Sequence, residues 1–304
     1  MAGYGKLALA CLFWGIGWVA ARYGVAQIGP YLACEIRFAI SFLLFLPFLF
    51  YPKPVKPSWK SFCRVIPLAA TGFFVNNMMA YTALKYTTAT SATIIVMSNP
   101  ILIAVLSYLF LKDRLNGAAV LSIVLSVAGA LTVVVKGNFV SLVHLDVNVG
   151  NLLVVGSALC WSVYSILIKT FSDKVTSIEN VTYGSLLAAI GFLPFSLEPF
   201  PAERFGPLLI GTLIFLALFN TNLAFYFWSE GIKVANPNTA AVFIGLVPLT
   251  ASILENVLFG ERIAPYHVIG GLLVFVGILL YVWSKNGRRG NGRFRFSSSG
   301  ISAD

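Results

Sequence analysis

Residues 83–100 read ALKYTTATSATIIVMSNP, and residues 230–248 read EGIKVANPNTAAVFIGLVP. Set in register, Lys85 falls on Lys233, Ala92 on Ala240 and Pro100 on Pro248, each pair 148 positions apart. Moving outward, LKDRL (111–115) returns as FGERI (259–263). This pairs Asp113-Arg114 with Glu261-Arg262 at the same spacing, and Gly129 falls on Gly277. Upstream, LACLFWGIGWVAARY (9–23) and VGSALCWSVYSILIK (155–169) align Trp14 with Trp161 at a spacing of 147. A near-constant offset shared by Trp, Pro, Gly and charged landmarks is the mark of an internal repeat rather than of generic apolar similarity.

The repeated unit belongs in lipid. Of 304 residues, 58% are hydrophobic and only 11% are charged, against roughly 25% charged in an average soluble domain. A soluble fold could not cover that much apolar surface. About 20 mostly apolar residues cross a bilayer, and the runs give ten spans, near 5–25, 31–50, 65–84, 89–111, 117–135, 149–170, 179–197, 207–230, 237–259 and 265–284. Ile28-Gly29-Pro30, Tyr51-Pro52-Lys53-Pro54, Lys112-Asp113-Arg114 and Glu198-Pro199-Phe200-Pro201 punctuate them, because Pro and charge stop helices. Alternating short runs, as in a spanning β-barrel, do not occur. The first run is long for a signal peptide, lacks a clear cleavage site and is followed by nine similar runs.

The fold class is therefore an all-α membrane protein with ten transmembrane helices in two five-helix repeats. Five is odd, so the second repeat enters the membrane inverted, the architecture of secondary transporters. The expected division is a first repeat at 1–137, a linker at 138–148, a second repeat at 149–285 and a basic, disordered tail at 286–304. With the N-terminus inside, the inner segments hold about three times the Lys and Arg of the outer ones, which predicts both termini in the cytoplasm. The net charge of +10 is then an orientation and anionic-lipid signal rather than a nucleic-acid footprint.

Trp14-Gly15, Pro30 with Arg37, Pro100, Asp113-Arg114, Trp161, Pro248 and Glu261-Arg262 together resemble the drug/metabolite transporter superfamily, specifically its EamA-like metabolite exporters. The resemblance covers about residues 5–285 and departs at Asp113, where that family usually has Glu. It implies ten spans, a central cavity lined mainly by spans 1–4 and 6–9, and spans 5 and 10 as braces. It also implies the inner membrane of a bacterium as the location.

Candidate working residues follow from what lipid penalises. A charged group at the bilayer centre costs roughly 2.5–3.5 kcal/mol on insertion scales. Arg37, two turns into the second span, is either a structural residue that caps carbonyls or reaches the headgroups, or a substrate contact. Glu255, near the end of the ninth span, is the preferred proton-coupling candidate, against an interfacial carboxylate paired with Lys or Arg. Glu35 is the second, at the rim of its span. Asn76, Asn77, Tyr81, Asn99, Asn220, Asn222, Tyr226 and Trp228 form a polar and aromatic set with Trp14, Trp18, Trp161 and Tyr164. Each alone is compatible with packing; as a group they predict a binding cavity, since buried amides need partners and rings can stack on a substrate. Pro100 and Pro248 are predicted hinges or fixed kinks at equivalent depth.

No GxxxxGK[ST], HExxH or GxSxG motif occurs, which removes the usual signs of ATP hydrolysis, zinc proteolysis and serine hydrolysis. The histidines are His144 and His267, both near span ends, and Cys11, Cys34, Cys63 and Cys160 include no CxxC pair. Neither metal nor cofactor is expected. The leading expectation is a secondary transporter that exports small metabolites, such as amino acids or related compounds, by alternating access, driven by a proton gradient or by exchange. The alternatives are an uptake carrier or exchanger, a channel or lipid-handling protein, and an intramembrane enzyme. Expected partners are a small-molecule substrate, the bilayer and protons, with no nucleic acid, and the chain as a monomer or homodimer.

Overall fold

The computed structural model describes residues 2–50, 58–96, 98–111, 117–134, 137–138, 148–171, 174–197, 202–234, 243–260 and 262–292. Among them every regular element is helical. Helix α1 (Ala2–Ile28) ends at Gly29, whose φ of 79° turns the chain, and Pro30 opens α2 (Pro30–Phe45) where its missing N–H costs nothing. Helix α3 (Trp59–Leu68), a π segment (Ala69–Val75) and α4 (Asn76–Ala83) form one rod. It starts at Trp59, a turn and a half before the expected 65. The fourth span is two helices, α5 (Ala89–Val96) and α6 (Asn99–Leu111), followed by α7 (Gly117–Val134).

The second half repeats this plan. It comprises α8 (Val149–Phe171) and α9 (Ser177–Phe192), then α10 (Pro207–Phe215), a second π segment (Leu216–Leu223) and α11 (Ala224–Val234). Helices α12 (Leu246–Phe259) and α13 (Pro265–Gly292) close it. A Thr176–Glu179 capping box starts α9, and Gly260 in the left-handed conformation ends α12. The two π segments fall at equivalent positions of the repeats.

Five helices are long and apolar enough to cross a bilayer: Tyr4–Ile28, Pro30–Leu49, Val149–Ile168, Ser177–Phe195 and Pro207–Gly231. Ala89–Ile103, Val120–Val133, Leu246–Phe259 and Pro265–Gly277 are shorter apolar stretches. Two expectations change. Helix α13 continues to Gly292, so the first residues of the basic tail are helical; the remainder lies outside the described residues, as do Asp113-Arg114 and Glu261. The breaks in the fourth and ninth spans fall ahead of Pro100 and Pro248, at Ser98 and Gly245. Both prolines therefore sit in the first turn of a new helix, where no i−4 bond is lost.

The surface is inverted relative to a soluble protein. Leu43, Ile253, Val257 and Leu258 are more than 60% exposed, whereas Arg37, Ser41, Asn99, Asn222 and Glu255 are buried. Lipid covers the first set, and the bundle interior must satisfy the second. The packing interlocks the halves. Helix α1 lies on α11 and α12 of the second repeat, while α8 lies on α4 and α6 of the first; α2 pairs with α9. Helices α7 and α13 pair with each other, and their backbones meet at Gly129 and Gly270. A Cβ on Gly129 would stand 2.5 Å from the Gly270 carbonyl oxygen, a crossing open only to the smallest residues.

Candidate functional site

Where the two opening helices face each other, a cavity of about 100 Å³ lies at the junction of the repeats, against the ~10–15 Å³ that one water requires on the same measure. Spans 1, 2, 3, 4, 6, 8 and 9 line it; among the described residues none of α7, α9 or α13 does. The seventh span thus drops out of the expected lining, and the α7–α13 pair stands outside it.

The apolar wall is an aromatic cage. Trp14 and Trp161 meet edge to face, with ring centroids 5.5 Å apart and planes at 84°. Phe225 closes on both, at 5.9 Å from Trp14 and 5.3 Å from Trp161. Gly17 gives the cage room: a Cβ there would overlap the Asn220 side-chain amide.

The polar wall is built around Arg37, which is 3% exposed. Its Nη1 donates to Tyr81 Oη at 2.6 Å and to Asn220 Oδ1 at 3.2 Å, and its Nη2 donates to Asn77 Oδ1 at 2.7 Å. Each amide is held from behind. Asn77 Nδ2 donates to the Phe73 carbonyl at 2.8 Å, a carbonyl within the π segment, and Asn220 Nδ2 donates to the Phe13 carbonyl at 3.3 Å. The guanidinium carbon sits 4.2 Å from the Phe38 ring centroid and 4.8 Å from that of Tyr81. Nε has no hydrogen-bond partner, and no carboxylate lies within ion-pair distance of Arg37 among the described residues. Buried Asn99 Oδ1 is also unpartnered. Asn76 Nδ2 donates to Ser157, to its carbonyl at 2.8 Å and its hydroxyl at 2.9 Å.

Trp14, Trp18, Arg37, Asn76, Asn77, Tyr81, Asn99, Trp161 and Asn220 therefore converge on one cavity. Four expected residues stand behind its wall. Tyr164 is buried under Trp161 and accepts from Asn180 Nδ2 at 2.8 Å. Asn222 is sealed into a clamp with Ser41 and Ser185 that joins the second π segment to α2 and α9. Trp228 packs on Trp14 at 5.2 Å, and Tyr226 is partly buried against the core. Sequence reasoning missed Gly17, Ala21, Ala80, Val96, Ser157, Ala158, Phe225, Ile244 and Val247. Repeat symmetry held a signal for several: Val96 and Ile244, Asn99 and Val247, and Asn77 and Phe225 are each 148 positions apart.

The two carboxylates lie elsewhere. Glu255 is fully buried; its Oε1 accepts from Arg22 Nη1 at 2.6 Å and from the Ala89 backbone N–H at 2.7 Å, and its Oε2 accepts from Thr90 N–H at 2.7 Å. It joins α1, α12 and the start of α5, where the positive end of the helix favours an anion. Glu35, on α2, accepts from the Ser196 hydroxyl and does not line the cavity. Among the described residues, no group of His, Cys, Asp and Glu could hold a metal ion.

Known proteins give this arrangement a family. The chain is 28% identical over 273 residues to an uncharacterized transporter, YyaM, of Bacillus subtilis (strain 168), covering 88% of this chain and 89% of that one. It is 26% identical over 276 residues to an uncharacterized transporter of Archaeoglobus fulgidus (91% and 97% covered). It is 21% identical over 237 residues to a probable terminal-alkyne amino-acid exporter of Streptantibioticus cattleyicolor (77% of each). A crystal structure superposes with a TM-score of 0.63 at 19% identity, covering 94% of this chain and 98% of that one, a likeness of fold. Residues 1–135 and 148–283 each match one family unit, the same two halves that the internal offset marks out, and the chain belongs to the EamA-like transporter family.

Proposed function

We propose that the chain is a secondary active transporter that carries a small metabolite, of about amino-acid size, through the Trp14–Trp161–Arg37 cavity by alternating access. The observation that carries this reading is the position of the cavity. It lies between two repeats whose opening helices each pack on the other repeat, so rocking one half against the other exposes a fixed site to either side. The volume supports a small cargo: about 100 Å³ is well beyond what a single water needs. The relative named as an amino-acid exporter supports the export direction and that size. The inner membrane of a bacterium, with both termini cytoplasmic, is the location that fits the charge bias.

A proton gradient or substrate exchange drives the cycle. Glu255 is the coupling residue we favour: a proton on it would remove the charge that ties Arg22 on α1 to α12 and α5. The test is flux into proteoliposomes containing the purified full chain. Saturable uptake with counterflow is the expected result. Flux linear in concentration and without counterflow would make the protein a channel, and chemical change of the cargo would make it an enzyme.

A further inference from the structure

Among the described residues the cavity holds one charge and no ion-pair partner for it. Arg37 is the only charged residue among the described lining residues. Its three bonds go to neutral acceptors, Tyr81, Asn77 and Asn220, so two of its five N–H groups remain, one of them Nε–H. A guanidinium that deep in a membrane protein is stabilised by an opposite charge far more than by neutral amides. The other ion-pairing groups nearby are not available to it: Arg22 and Glu255 hold each other, and Glu35 bonds Ser196. Asn77 and Asn220 are tied to backbone carbonyls of the first π segment and of α1, so the fork is fixed before any ligand arrives. Asn99 lines the same space, and its buried Oδ1 has no hydrogen-bond partner.

We infer that the cargo carries a carboxylate, which pairs with the guanidinium of Arg37, while an N–H or O–H donor of the same molecule is held at Asn99 and its apolar body lies in the Trp14–Trp161–Phe225 cage. The inference rests on the transporter reading and names the substrate class of its site. Its corollary is exclusion: a molecule whose only charge is an ammonium meets an uncompensated like charge in a low-dielectric space and is rejected.

The test uses the purified full chain and two matched series, 3-phenylpropionate, L-phenylalanine, L-phenylalaninamide and 2-phenylethylamine, then propionate and propylamine. Thermal melting and quenching of tryptophan fluorescence are the readouts. Carboxylates in a series are expected to bind at least about tenfold more tightly than its amines, as charge-assisted bidentate pairing requires. Arg37→Gln removes that preference. Arg37→Lys keeps the charge without the fork and binds carboxylates about tenfold more weakly; it decides the matter if Arg37→Gln does not fold. Amines binding as tightly as carboxylates, no effect of any carboxylate, or unchanged carboxylate affinity in both variants overturns the inference. Counterflow in proteoliposomes separates the two claims. Arg37-dependent carboxylate binding without counterflow removes the transporter and keeps the site. Saturable counterflow of the amines, undiminished by Arg37→Gln, keeps the transporter and removes the carboxylate.

Discussion

Trp14 and Trp161 occupy equivalent positions in the two repeats, and their rings touch edge to face across the repeat junction at 5.5 Å. The pair therefore lies at the local axis relating the halves, and both rings line the cavity. Edge-to-face geometry adds roughly 0.5–1.5 kcal/mol beyond area burial, but the exposed flank of each ring is surface for a ligand.

Trp161→Ala is expected to lower cargo affinity more than folded yield. Loss of one wall of the cage weakens binding about 10- to 100-fold, while the ring's partial burial limits the cost to the fold. Titration of purified protein beside its monodisperse yield checks this. Wild-type affinity in the variant would reduce Trp161 to packing.

Gly17→Ala tests the joint between α1 and the second π segment. The new Cβ overlaps the Asn220 amide, which must leave the Phe13 carbonyl or Arg37. A loss of about 1–3 kcal/mol is expected from overpacking, read as a lower melting temperature. Adding Asn220→Ser should restore much of it in a double-mutant cycle; strict additivity would show that the strain goes elsewhere.

Glu255→Gln keeps the shape and removes the charge. Proton-driven transport is expected to weaken while substrate exchange survives; unchanged coupling at equal expression would take Glu255 out of the mechanism. Glu255→Ala goes further and removes the acceptor that Arg22 and two N–H groups of α5 share. About 1–3 kcal/mol of stability should be lost, less than for a wholly buried pair, because the Arg22 side chain is 24% exposed. Melting curves of Gln and Ala variants separate coupling from folding.

Gly129→Leu acts away from the cavity. It forces apart α7 and α13 where Gly129 meets Gly270, so the melting temperature should fall, with cargo affinity of the folded fraction within about twofold of wild type, as expected for well-separated sites. A large change in affinity would tie this helix pair to the site.

The sequence carried the repeat, the membrane class and most of the polar wall, because polar groups in apolar runs are costly and so conspicuous. Arg37, Asn77 and Asn220 were visible one by one; their convergence depended on two π segments that shift the faces of their rods, and hydropathy does not encode these. Asn222 lies two residues from Asn220 and points into the Ser41–Ser185 clamp instead, a distinction of helix face. Small and aliphatic lining residues, such as Gly17, Ala80 and Val96, carry no penalty that marks them. Pro100 and Pro248 were legible as breaks, but a proline looks the same whether it kinks a helix or begins one.

The crossing of α1 onto α11 and α12, and of α8 onto α4 and α6, makes each repeat an incomplete object. Separated, either would leave amides and serines facing acyl chains, and the first would carry Arg37 there without Asn220. Two such units made as independent polypeptides can become stable only by finding one another within the same membrane.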